Sequence, residues 1–266
     1  MKTQILSLML AAGLLSPCPI LAQSASFGGE KEEAAAARSG VRFVLCSPSG
    51  AQLPSPLYYK AGKEYRSVRI GGRTPSQRIR PEAGQVVFYD EDPSAAQEVA
   101  REDKGAKPAN MPKPVLTVSV PAGYSSRSVC IVVPSEKSSK AQTFFLNESD
   151  FPSKGTHVIN FSSSELQMTT SRTGNLTGPD AKTSKIGPFQ REQGISKSNS
   201  WSFTGEDGEA VSFILTAKQK DGAPPKRIKA AKFLISSRQS QITIVVKDPA
   251  RDAYKMLSIQ LSDSPR

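Results

Sequence analysis

Short runs rich in Val, Ile, Phe, Tyr and Thr recur from residue 41 onward, and Gly, Pro, Ser and Asp separate them. Apolar and β-branched runs bounded by turn-forming residues are typical of β-strands. No segment of helical length carries an apolar stripe with the 3.6-residue period. The sequence therefore predicts an all-β protein with strands near residues 41–46, 57–60, 64–70, 77–80, 85–89, 114–120, 128–133, 142–146, 156–161, 165–170, 210–219, 230–236, 241–247 and 254–261.

An internal repeat organises these strands. The segment SSRSVCIVV at residues 125–133 returns at residues 236–246 as SSR followed by ITIVV, with Ile131 and Ile244 in the same place 113 residues apart. Two further pairs of segments match in the same order: residues 41–45 with 158–161, and residues 83–88 with 207–213. Because the offset is about the size of one β-sandwich, the repeat predicts two tandem sandwiches that arose by duplication.

The predicted organisation has four parts: a signal peptide at residues 1–22, a flexible tether at 23–40, a first β-sandwich at 41–150 and a second at 151–266. Two long polar segments, 90–113 and 171–200, interrupt the sandwiches. Their composition predicts loops.

The N-terminal segment has the pattern of a secretory signal peptide. Lys2 precedes an apolar run at residues 5–15, and Ala22 supplies a small residue at the end. These are the three features that the export machinery and its peptidase recognise. The apolar run is too short to span a bilayer, and no later stretch reaches 18 apolar residues. We therefore expect an exported protein without a membrane span, cleaved after Ala22, with lipidation of Cys18 as the alternative.

Cleavage after Ala22 leaves two cysteines, Cys46 and Cys130. In an oxidising compartment they can form a disulfide. Both also lie in apolar runs, where a free cysteine behaves as a small hydrophobic side chain. Two alternatives therefore stay open, a Cys46–Cys130 disulfide or two buried thiols.

The sequence lacks the residues that several classes of enzyme require for catalysis. The only His of the chain is His157, and no Gly-x-Ser-x-Gly segment provides a nucleophilic serine for it. A zinc site needs three or four nitrogen or sulfur ligands at fixed spacing, which this chain does not contain. The sequence predicts no catalytic residue, no metal site and no cofactor.

The formal net charge is +11, and the densest basic stretch runs from Lys60 to Arg80, with seven Lys and Arg against one Glu. Arginine suits planar recognition of carboxylate and phosphate groups. We expect an anionic partner to bind there, through Arg66, Arg69, Arg73, Arg78 and Arg80. The alternative is a solvated outer face whose charges block aggregation. A second basic run at residues 226–232 is typical of a hairpin tip.

The strand pattern resembles that of exported bacterial repeat proteins with immunoglobulin-like β-sandwich domains of unknown function. The resemblance rests on VRFVLCSP at residues 41–48, LYY at 57–59, Ala83-Gly84 before a β run, and the hairpin from Ile244 to Leu261. It implies two immunoglobulin-like sandwiches and an envelope or surface location. It implies no catalytic residue.

These features together predict a non-enzymatic envelope or extracellular protein. Its expected partner is an anionic envelope polymer or an acidic glycan, or else another envelope protein. A glycan hydrolase that uses carboxylates and a subunit of a surface filament are the alternative functions.

Overall fold

The computed structural model describes residues 39–48, 50–94, 112–124, 126–134, 141–152, 154–219, 222–236, 239–248 and 250–262. The predicted signal peptide lies outside the described residues, and so does the predicted tether apart from Ser39 and Gly40.

The all-β prediction is confirmed. Within the described ranges, seven strands precede a 3-10 turn at Glu148–Asp150: β1 (Gly40–Leu45), β2 (Leu57–Ala61), β3 (Glu64–Val68), β4 (Gln85–Tyr89), β5 (Pro114–Ser119), β6 (Arg127–Val133) and β7 (Gln142–Asn147). Eight strands follow it: β8 (Gly155–Asn160), β9 (Leu166–Ser171), β10 (Lys182–Ile186), β11 (Ser200–Thr204), β12 (Ala210–Ala217), β13 (Lys226–Leu234), β14 (Gln239–Asp248) and β15 (Ala253–Ser262).

The strands form four sheets. Sheet I has the order β3-β2-β4-β5, sheet II β1-β6-β7, sheet III β11-β8-β14-β15 and sheet IV β10-β9-β12-β13. All pairs are antiparallel except β1 with β6 and β8 with β14. The parallel pairs lie inside sheets II and III, whose apolar strands are buried on both faces, as parallel strands usually are.

Three apolar clusters hold the sheets in the order I, II, III, IV. Alternation along each strand sends side chains to opposite faces. On β1, Phe43 packs between sheets I and II, whereas Val44 packs between sheets II and III. On β14, Ile244 joins the same middle cluster as Val44, and Val245 packs between sheets III and IV. The middle cluster therefore contains residues from both halves of the chain.

The two halves have the same strand order once β11, an additional strand of the second half, is left out of the count. In each half the first strand pairs in parallel with the next-to-last one, which places Val44 beside Ile131 and Ile159 beside Ile244. In the first half an isolated antiparallel bridge joins Ile79 to β1, where the second half has β11 beside β8.

Two glycines occupy matching places in these two arrangements. Gly40 opens β1 with φ +125°, and Gly155 opens β8 with φ +145°. A Cβ on Gly40 would lie 2.8 Å from the carbonyl oxygen of Ile79, and one on Gly155 would clash with the carbonyl oxygen of Phe203. Each half therefore requires glycine where its first strand meets the neighbouring strand.

The prediction of a loop at residues 171–200 was wrong in part, because β10 lies within it and β11 begins at its end. The sequence of β10, KTSKI, contains one strong apolar residue, so it shows no alternation. Pairing with β9 and burial of Ile186 between sheets III and IV hold it in place. The predicted strand at 77–80 contributes only the single bridge at Ile79.

Candidate functional site

The structure places Arg78 inside an ion-pair cluster. Its Nη2 lies 2.6 Å from Oε2 of Glu148, and its side chain is 8% exposed. Arg127 lies 3.4 Å from the same oxygen, and Arg42 lies 3.7 Å from the other. Glu148 itself is 10% exposed. Arg78 thus supports the end of the first half and does not present its guanidinium to a large partner.

The other four predicted arginines are exposed and lie on different parts of the first half. Arg66 forms a 3.7 Å ion pair with Glu64 on its own strand. Arg80 donates from Nε to the Ser39 hydroxyl at 3.1 Å. Arg69 and Arg73 follow the end of β3, outside any strand. The stretch from Lys60 to Arg80 therefore extends over β2, β3, the segment after β3 and the bridge at Ile79.

Three tyrosines lie on the outer face of sheet I. Tyr58, Tyr65 and Tyr89 are half-buried, and the rings of Tyr65 and Tyr89 meet edge to face at 5.9 Å. Lys60 on this face forms a 3.8 Å ion pair with Glu82. Tyr59 points the other way and is 5% exposed in the core. The outer face of sheet I therefore carries aromatic groups and both signs of charge.

Cys46 and Cys130 are free thiols. Cys46 packs between sheets II and III, whereas Cys130 packs between sheets I and II, so they lie on opposite faces of sheet II. Burial raises the pKa of Cys46 to about 12 and also raises the pKa of Cys130. The structure has the arrangement of the second alternative, two buried thiols.

His157 is 8% exposed on β8. Its Nδ1 lies 2.6 Å from the hydroxyl oxygen of Ser202, which stands opposite it on β11, and its ring meets Phe151 edge to face at 5.1 Å. Burial lowers the pKa of His157, and the nearby charge of Asp150 partly opposes this shift. Within the described residues no carboxylate hydrogen-bonds to the imidazole, so the pair lacks the acid member of a Ser-His-Asp triad.

Sheet IV has the largest excess of positive over negative side chains among the four sheets. Its strands carry six cationic side chains and no carboxylate: Lys182 and Lys185 on β10, and Lys226, Arg227, Lys229 and Lys232 on β13. Lys226 has an ion-pair partner, Asp252, at 3.8 Å. Within the described part of the chain the other five form no ion pair.

Three of these cations share the outer face of sheet IV. Lys185 alternates with the buried Ile186, Arg227 precedes the half-buried Ile228, and Lys232 precedes the buried Phe233, so all three point away from the core. All three are exposed. We call this surface the cationic face.

The strand register shows which residues of the cationic face lie side by side in rows across the sheet. One row crosses all four strands through Lys185, Gln167, Thr216 and Arg227. The next contains Thr183, Thr169, Ile214 and Ala230, and a third ends at Lys232. With neighbouring strands about 4.8 Å apart, the backbones of Lys185 and Arg227 are about 14 Å apart. Hydroxyl and amide groups lie between the cations.

The loop between β9 and β10 lies at one end of the cationic face and contains a carboxylate, that of Asp180. Asp180 accepts hydrogen bonds from the hydroxyls of Ser171 at 2.7 Å and Thr173 at 2.8 Å. These bonds lower its pKa. The carboxylate is thus engaged by its own loop, and Lys185, Arg227 and Lys232 have no ion-pair partner among the residues that the structure describes.

The sequence indicates two of the three cations of this surface. Arg227 and Lys232 belong to the basic run predicted as a hairpin tip, but they lie on a nine-residue edge strand. Lys185 was missed because its strand lies in the segment predicted as a loop. The spacing of Lys182 and Lys185 gives no signal, since only strand pairing brings β10 and β13 into one sheet.

Comparison with protein-family models gave no match, and comparison with curated proteins gave none either. In the described ranges, no helix is long and apolar enough to cross a membrane. The same residues contain no group of three or more His, Cys, Asp or Glu side chains placed to hold a metal ion.

Proposed function

We propose that this chain is an exported, non-catalytic binding protein built from two tandem immunoglobulin-like β-sandwiches, and that its cationic face binds an anionic polymer. The observation that carries the proposal is the charge of sheet IV, six cations without a carboxylate in its four strands. A flat surface of one sign attracts a polymer of the opposite sign and holds it through several weak contacts.

Four features support the duplication. The two halves share strand order, the parallel pairing of the first strand, the position of the Ile-Val-Val segment on that pair, and glycine at the start of the first strand. A fifth match is the turn before β4 and β12, where Gly84 and Gly208 have φ of +74° and +80°. Export rests on the signal-peptide pattern of residues 1–22.

The alternative functions have weaker support. A glycan hydrolase needs two carboxylates about 5–10 Å apart, and the four strands of sheet IV contain none. A filament formed by strand addition could use the open edge of β13, where Leu234 is 71% exposed. The four cations of β13 repel a second β13, so this edge opposes its own pairing.

Salt-gradient elution from a heparin column tests the proposal, with heparin as a general polyanion. The variant Lys185→Ala/Arg227→Ala/Lys232→Ala removes the cationic face. The matched control Lys63→Ala/Lys113→Ala/Lys197→Ala removes three exposed lysines outside sheet IV, so the two variants have the same net charge. We expect the first variant to elute at clearly lower salt than the control. Equal elution of the two variants would contradict the proposal.

A further inference from the structure

We propose that the polymer held by the cationic face is an acidic glycan, a polysaccharide whose carboxylate or sulfate groups are separated by neutral, hydroxyl-bearing sugar. This inference rests on the proposed function, because it names the class of polymer for the same surface. It follows from what lies between the cations and from what this surface lacks.

The floor between Lys185 and Arg227 is polar and uncharged, and the next row adds two threonines beside the apolar Ile214 and Ala230. Gln167 and Thr216 lie between Lys185 and Arg227 in one row, and Thr169 and Thr183 lie beside each other in the next. The hydroxyls of Thr169 and Thr183 are 2.8 Å apart and exposed. Such groups can both donate and accept hydrogen bonds. They match the hydroxyls of a sugar, which also donate and accept, whereas phosphate oxygens only accept and leave the acceptor oxygens of these side chains unpaired.

The spacing of the charges favours a polymer of moderate charge density. Lys185 and Arg227 are separated by about 14 Å of sheet, and Arg227 and Lys232 by about 15 Å of strand. Nucleic acids carry a phosphate every few ångströms along each strand. A glycan with one anionic group on some of its sugars places its charges farther apart and fills the interval with hydroxyls.

No aromatic ring of sheet IV is available for base stacking. Its two aromatic residues, Phe213 and Phe233, stack on each other at 4.1 Å and are 2% and 6% exposed. Single-stranded nucleic acids are usually held by exposed aromatic side chains that stack on bases. The cationic face therefore has the charge to attract a nucleic acid but lacks the contacts that retain an unpaired strand.

The test measures the affinities of the full chain for four soluble polymers at fixed salt: hyaluronate, partly esterified polygalacturonate, a single-stranded DNA oligonucleotide and inorganic polyphosphate. The floor variant Thr169→Val/Thr183→Val removes both partners of one hydrogen bond and keeps the shape and β preference of each side chain. Melting curves check that this variant and Lys185→Ala/Arg227→Ala/Lys232→Ala both fold.

We expect hyaluronate or partly esterified polygalacturonate, whose carboxylates are separated by neutral sugars, to bind more tightly than DNA and polyphosphate. The floor variant should weaken glycan binding by about three-fold to ten-fold, the loss expected for one or two hydrogen bonds, and leave DNA binding unchanged. The variant Lys185→Ala/Arg227→Ala/Lys232→Ala should weaken all four.

Two outcomes would overturn the inference in different ways. If DNA or polyphosphate binds best, or if the floor variant binds glycans as the natural chain does, the glycan assignment is wrong while the proposed anionic-polymer function stands. If removing the three cations changes none of the four affinities, the proposed function fails and the glycan assignment fails with it.

Discussion

Replacement of Glu148 by Gln tests the placement of Arg78. Glu148 is the carboxylate that Arg42, Arg78 and Arg127 share, and it is 10% exposed. The substitution keeps the shape of the side chain and removes its charge. Arg78 is 8% exposed and loses its 2.6 Å partner. Breaking one side of a buried ion pair costs about 3–5 kcal/mol.

We expect a loss near the lower end of that range, about 3 kcal/mol, because a glutamine oxygen can still accept one hydrogen bond from Arg78. For a chain of this size that loss lowers Tm by about 6–12 °C. The assay is thermal and urea unfolding followed by the fluorescence of Trp201, the single tryptophan, which packs against the cluster between sheets III and IV.

Arg127→Ala provides the control. Arg127 contacts the same carboxylate but is 50% exposed, so its removal should cost less than about 1 kcal/mol. If Glu148→Gln is as stable as the natural chain, or no less stable than Arg127→Ala, then Arg78 is not held by a buried ion pair, and its assignment as a structural residue is wrong. A destabilised Glu148→Gln would also mean that binding losses in Arg78 variants report on folding.

Two further predictions concern His157 and the cysteines. Because burial lowers the pKa of His157, the unfolded chain takes up a proton more readily than the folded chain, so the free energy of unfolding should be fully retained above the ordinary pKa of 6.5 and fall as the pH drops from 6.5 to 5. Since His157 is the only histidine, His157→Gln should flatten this pH dependence in urea unfolding, and an unchanged slope would contradict the burial of His157. Ellman's reagent should leave Cys46 and Cys130 unlabelled in the folded chain and label both in urea; a mass gain of two hydrogens on reduction would instead reveal a disulfide.

The strands were predictable where one face of each is apolar. Residues 85–89 illustrate this, because Val86 and Phe88 alternate with more exposed neighbours and the observed strand β4 has the predicted bounds. Strand β10 was not predictable from its own sequence, because Ile186 is its only strongly apolar residue. Hydrogen bonding to β9 holds residues 182–186 in a strand, although their composition does not favour one.

The fate of the basic stretch shows why the site was harder to predict than the fold. Alternation predicts that Arg78 and Arg80 lie on the same side of a strand segment. It gives no information about Glu148, which lies 70 residues later in the chain and reaches Arg78 only through the fold. Similarly, Lys185 and Arg227 lie on opposite edges of one sheet, and only the order β10-β9-β12-β13 brings them onto one face.

The central claim is that Lys185, Arg227 and Lys232 hold an anionic polymer together. The most direct measurement is the affinity for heparin at several salt concentrations, for the natural chain and for the variant that lacks these three cations. Each cation that pairs with the polymer contributes close to one to the slope of log affinity against log salt. The account predicts that the slope becomes shallower by about 2–3, whereas an unchanged slope would contradict it.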